Sequence, residues 1–166
     1  MIYIAGPFFN SEERTKLLHM IDLVKEAYPN EELFIPMEHF VPDGENMPNY
    51  QWAKEVFKMD VEALNKADRV IALYLGHYSD TGTAWEIGYA YAKGKKIMVF
   101  QITDTPTSLM TYCGCKYFIN TTKEELELII KEMEFVENRD YRQDPNYYNR
   151  KWTKETNDLK KKKKEN

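Results

Sequence analysis

The sequence predicts a doubly wound α/β fold of flavodoxin-like kind, a five-stranded parallel sheet with helices on both faces. Three observations carry this. Short apolar runs such as "IYIA" and "RVIALYL" show no polar alternation, as expected of strands covered on both faces. Segments with helical periodicity separate these runs, which is the pattern of βαβ units. At 166 residues the chain suits one main domain with a single core.

Residues 2–5 form the first expected strand, closed by Gly6-Pro7. Asn10 or Ser11 can cap a helix, and Glu13 supplies the acid of a capping box. Leu17, Ile21, Val24 and Tyr28 recur with helical spacing as its inner face, and Pro29-Asn30 stops it. Residues 33–36 are the second strand, followed by a polar loop over 37–49. A second helix is expected over 50–65, with Trp52, Val56, Phe57, Met59 and Leu64 as candidates for burial. Residues 68–75 form the third strand. The stretch "DTGTAWEIGYAYAKGKK" gives the third helix, ended by Gly94. That helix is apolar nearly all round, which predicts burial, in part against another subunit. Strands over 97–100 and 116–119 follow, then a helix capped by Thr121 or Thr122 and running to about residue 135. Residues 1–137 thus make the domain, and 138–166 a polar extension with a lysine-rich tail.

The net charge is −4 even though five consecutive lysines stand at 160–164, so the rest of the chain is more strongly acidic. Such a body is a poor partner for nucleic acid or an anionic membrane surface. The lysine run reads as a solvated tail. With no secretory segment or long apolar span, a soluble cytoplasmic protein is expected. Cys113 and Cys115, one residue apart, suit neither a disulfide nor a zinc site and read as reduced thiols. His19, His39 and His77 lack metal-ligand spacing.

Open parallel sheets bind ligands beyond the carboxyl ends of their strands, so the turns at 6–10, 36–49, 75–83 and 101–112 hold the expected site. The first, "GPFFN", has no basic residue or hydroxyl run to cradle phosphate, which favours an uncharged ligand. Phe8 and Phe9 there can stack on a planar base or belong to the core. Asp80 and Glu86 flank the third turn. Glu86 is the one charged residue between Thr83 and Tyr91. It is either a partly desolvated carboxylate or, lying near Lys93 on a helical wheel, part of a solvated strip. Asp60 alone reads as a surface acid. Tyr3 is a phenol in a buried strand, where it needs a polar partner.

Taken together, "IYIAGPFFN", "VPDGENMP", "MDVEALNKADRVIALY", "DTGTAWEIGYAYAKGKK" and "PTSLMTY" resemble the nucleoside 2-deoxyribosyltransferase family over residues 1–137. The resemblance implies transfer of a 2-deoxyribosyl group between purine or pyrimidine bases, with no metal or organic cofactor. Glu86 matches the family nucleophile and Tyr3 the tyrosine that orients it. Asp60 and Asp80 match the aspartates that meet the base and manage its proton. Phe8, Phe9 and Gly82 fall at the substrate. Ser108 and Met110 lie in a loop that completes a neighbouring subunit's site, so a hexamer or dimer is implied. Ser108 stands where the family has an asparagine. Two rival readings are an N-glycoside hydrolase of nucleoside 5′-monophosphates and a non-catalytic nucleotide-binding module.

Overall fold

The computed structural model describes residues 1–76, 81–102, 107–120 and 126. Five strands form one parallel sheet in the order β2-β1-β3-β4-β5. They are β1 (Ile2–Ala5), β2 (Leu33–Phe34), β3 (Arg69–Tyr74), β4 (Lys96–Gln101) and β5 (Tyr117–Asn120). Tyr3 registers with Phe34 on one side and Val70 on the other.

The period of two along a strand divides the core between the sheet's faces. Ile2, Ile4, Ile71, Leu73, Met98 and Phe100 pack with Leu17, Met20, Ile21 and Val24 of α1 (Ser11–Ala27). Tyr3, Ala5, Val70, Ala72 and Val99 face the other way, with Ala63 and Leu64 of α2 (Asn49–Lys66) and Ile87 and Ala90 of α3 (Thr81–Ala92). A short α4 (Leu109–Gly114) precedes β5. The predicted fold class and helices on both faces are thus present.

α1 starts where the capping residues place it. Asn10 Oδ1 accepts from the Glu13 amide at 2.9 Å, and Glu13 Oε2 accepts from the Phe9 amide at 3.1 Å. Two otherwise orphaned donors are satisfied this way. Gly6 is required by packing, because a Cβ there would lie 2.7 Å from Leu17 Cδ1 and 3.2 Å from Leu73 Cβ. Gly94 is required by backbone conformation, with φ +67°. Its amide bonds to the Tyr91 carbonyl and that of Lys95 to the Ala90 carbonyl, the Schellman pattern that ends α3.

Several expectations need correction. The second strand is only two residues long, because Pro36 has no amide to donate and a 3₁₀ turn (Pro36–Glu38) begins there. Of the α2 residues expected inside, Leu64 is buried, Val56 and Met59 are half-buried, and Trp52 and Phe57 are exposed. α2 meets the sheet only near its end, and Trp52 instead lies against Gly44 of the preceding loop. Within one chain, α3 buries Thr83, Ile87 and Ala90 and leaves Ala84, Trp85, Gly88 and Tyr91 exposed, so a single chain leaves untested the part of its expected burial that would fall against another subunit. One sheet covers one face of a helix, so an apolar composition alone does not bury the rest. α4 falls within a stretch read as loop; six residues are too few to show a period.

Asp80, the helix expected to run to about residue 135 (apart from helical, buried Leu126) and the extension 138–166 lie outside the described residues. No helix among the described residues is long and apolar enough to cross a membrane.

Candidate active site

The strand order turns back between β1 and β3, and this is where a doubly wound sheet opens a crevice. β1 supplies Tyr3 from the face covered by α2 and α3. Its side chain is fully buried, and its hydroxyl donates a 2.5 Å hydrogen bond to Glu86 Oε1 in the second turn of α3. Burial, then the negative charge of Glu86 and of Asp60, pushes the phenol's proton affinity up. Tyr3 therefore stays protonated and acts as a donor.

Asp60 comes from α2 and is half-buried. Its Oδ1 is buried and has no hydrogen-bond partner among the described residues. Desolvation pushes its carboxyl up to about 6, against the opposing positive charge of His39. A carboxyl whose proton affinity is raised toward neutrality is better able to hold and pass on a proton there.

The registry of α2 and α3 sets the spacing between Asp60 and Glu86. Phe57 meets Trp85 with ring centroids 5.3 Å apart, and Trp85 stacks on Tyr89 at 5.1 Å. The Tyr89 hydroxyl donates to Asn65 Oδ1 at 3.0 Å. Lys95 Nζ donates to the Asn65 carbonyl at 2.7 Å. These contacts give the exposed aromatic residues a positioning role across two helices.

Two further residues join the cluster that sequence reasoning did not select. Phe34, paired with Tyr3 in the sheet, stacks on its ring at 5.4 Å and 16°. His39 also stacks on Phe34, at 4.2 Å and 5°. The 3₁₀ turn at Pro36 swings the chain so that exposed His39 returns over Phe34. No spacing rule links residues 3, 34 and 39; the available signal was the Pro36 turn at the carboxyl end of a strand.

The structure thus brings together Tyr3, Glu86 and Asp60. Phe8 and Phe9, just beyond β1, stack on each other at 5.1 Å. Phe8 packs partly on the core, whereas Phe9 is 72% exposed. Gly82 lies exposed in the first turn of α3. Ser108 and Met110 line a groove of about 340 Å³ with Ala84, Gly88 and Tyr91 along the α3–α4 surface. Met110 is 84% exposed. Cys113 and Cys115 are free thiols, one exposed and one buried. Among the described residues, no three His, Cys, Asp or Glu side chains form a metal-binding group.

Comparison with known proteins bears on this arrangement. No curated protein matches the chain. Among solved structures, 2-deoxyribosyltransferase from Bacillus psychrosaccharolyticus is 31% identical, with a TM-score of 0.66 over 76% of this chain and 89% of that one. A conserved protein from Enterococcus faecalis V583 shares the fold at 23% identity, with a TM-score of 0.64 over 80% of this chain and 97% of that one. CMP N-glycosidase from Clostridium botulinum shares it more distantly, at 19% identity and a TM-score of 0.51 over 77% and 96% of the two chains. The family model for nucleoside 2-deoxyribosyltransferase matches residues 2–159. On the match that spans nearly its whole length, the chain belongs to the nucleoside 2-deoxyribosyltransferase family.

Proposed function

We propose that this protein moves the 2-deoxyribosyl group of a 2′-deoxynucleoside from one purine or pyrimidine base to another, through a covalent deoxyribosyl–Glu86 intermediate. The observation that carries this is the buried Tyr3 hydroxyl bonded to Glu86 Oε1, with Asp60 close enough to act on Tyr3 electrostatically.

Loss of the base leaves an oxocarbenium-like sugar, which a carboxylate held against the anomeric carbon captures. The Tyr3 hydrogen bond fixes one Glu86 oxygen and so the direction the other presents. As the C–N bond breaks, its electron pair goes to the base, whose ring nitrogen takes a proton from Asp60. Asp80 shares that duty in this reading. The incoming base attacks the same face, expels Glu86 and returns a proton to the aspartate, so configuration is retained. Phe8, Phe9 and Gly82 line the substrate side. Ser108 and Met110 of a second copy complete the site, with the apolar α3–α4 surface as the contact between copies. The α3 and α4 residues left exposed in a single chain support that assembly. The role fits deoxynucleoside salvage in the cytoplasm.

Incubation with deoxyadenosine and cytosine, followed by chromatography, tests this reading. It predicts adenine and deoxycytidine, and none from Glu86→Ala. Free deoxyribose without exchange indicates a hydrolase instead, and no turnover of any deoxynucleoside indicates a binding module.

A further inference from the structure

Gln101 is the last residue of β4, and it is fully buried. It registers with Tyr74 of β3 and Asn120 of β5, at the carboxyl end of the sheet where the site opens. The period of two puts it on the face shared with Ile97 and Val99, which α2 and α3 cover. A carboxamide buried there needs hydrogen bonds to offset its desolvation. Its Oε1 accepts from the Thr107 hydroxyl at 2.8 Å, across six positions of sequence. Thr107 is half-buried and stands one residue before Ser108, from which α4 starts. The Tyr112 amide donates to the Ser108 carbonyl at 2.9 Å, which sets the first turn of that helix. The chain leaving β4 is thus brought back to the strand's end just before Ser108 and Met110 reach the α3–α4 groove.

We propose that Gln101 and Thr107 are positioning residues for substrate binding: their hydrogen bond holds Ser108 and Met110 where they complete the site of a second copy. The proposal rests on the transfer reading given above and deepens it. Neither residue touches the reacting atoms. Tyr3, Glu86 and Asp60 come from β1, α3 and α2, so the bond can be lost without displacing the groups that break the C–N bond. Contacts made away from the anomeric carbon bind substrate and transition state alike. Weakening them raises KM and leaves kcat in place.

The test replaces Thr107 with Val, which keeps the shape and loses the hydroxyl, and with Ser, which keeps the hydroxyl. Deoxyadenosine is the donor and cytosine the acceptor. Thr107→Val should raise KM for the donor about three- to tenfold with kcat within about twofold of the parent, and Thr107→Ser should behave as the parent does. Gln101→Met should raise KM to the same extent. Adding Thr107→Val to it should raise KM no further, because the same bond is already lost.

An unchanged KM in Thr107→Val overturns the proposal, as does a fall in kcat without a rise in KM. Failure of Thr107→Ser to restore KM, or additive effects in the double variant, overturns it too. A second measurement stands apart from turnover: hydrogen–deuterium exchange of the peptide that carries α4. Its amides should exchange faster in Thr107→Val and Gln101→Met than in the parent and Thr107→Ser. Equal rates in all four overturn the anchoring role. Absence of base exchange in the parent would refute the transfer reading, while the amide rates would still decide the anchor.

Discussion

The Tyr3 hydroxyl donates a 2.5 Å hydrogen bond to Glu86 Oε1 across 83 positions of sequence. A buried phenol without a partner is costly, and a hydrogen bond to a charged group contributes about 1.5–3 kcal/mol. The same contact therefore fixes α3 on the sheet and orients the carboxylate.

Tyr3→Phe separates those two contributions. The ring, stacked on Phe34, remains, so the variant should fold. Losing a contact of that strength from the transition state should lower kcat for base exchange by roughly tenfold to a hundredfold. Circular dichroism and steady-state exchange assays check both halves; wild-type turnover in a folded variant contradicts the orienting role.

Asp60 predicts a trade between stability and activity. Its carboxyl is raised to about 6 from 3.8, so the native state holds the proton more tightly than the unfolded chain. The sign follows: the native state loses stability relative to the unfolded state as pH rises from about 4 through 6. Asp60→Asn, which has no charge to bury, should be more stable than the parent at pH 8. The gain should be about 1–2 kcal/mol once solvent screening is discounted, with little difference at pH 4. Exchange should be largely lost in the variant. Urea denaturation at the two pH values tests this, and equal stability differences at both would contradict the buried-charge account.

Gly6 offers a purely structural prediction. A methyl group at this position meets Leu17 Cδ1 at 2.7 Å, in a core that has little room to give. Gly6→Ala should cost about 1–3 kcal/mol, read as a drop in Tm of several degrees. An unchanged Tm would show that α1 shifts freely on β1.

How much of this was legible depends on the range of the interaction. The strands at 69–74 and 96–101 were readable because both sheet faces are covered and the apolar runs are unbroken. The Asn10 cap was readable because its partner Glu13 is three residues away. Periodicity left Glu86 open between pocket and solvated strip, because its partner Tyr3 lies on another element. Only the combination of residues in the family resemblance joined the two. Trp52 and Phe57 were misread as core, since a helical stripe shows which residues share a face but not how much of that face the sheet covers. Phe34 and His39 escaped notice because stacking follows from the turn at Pro36, and no pattern of spacing encodes it.

Covalent capture by Glu86 is the central claim, and trapping the intermediate tests it most directly. The protein is mixed with a deoxynucleoside in the absence of an acceptor base, quenched rapidly in acid and analysed by intact-mass and peptide mass spectrometry. The account predicts an increase equal to one deoxyribosyl group, located on the α3 peptide at Glu86 and absent from Glu86→Gln. Base exchange that proceeds with the adduct on another residue, or that persists at the parent rate in Glu86→Gln, would contradict it.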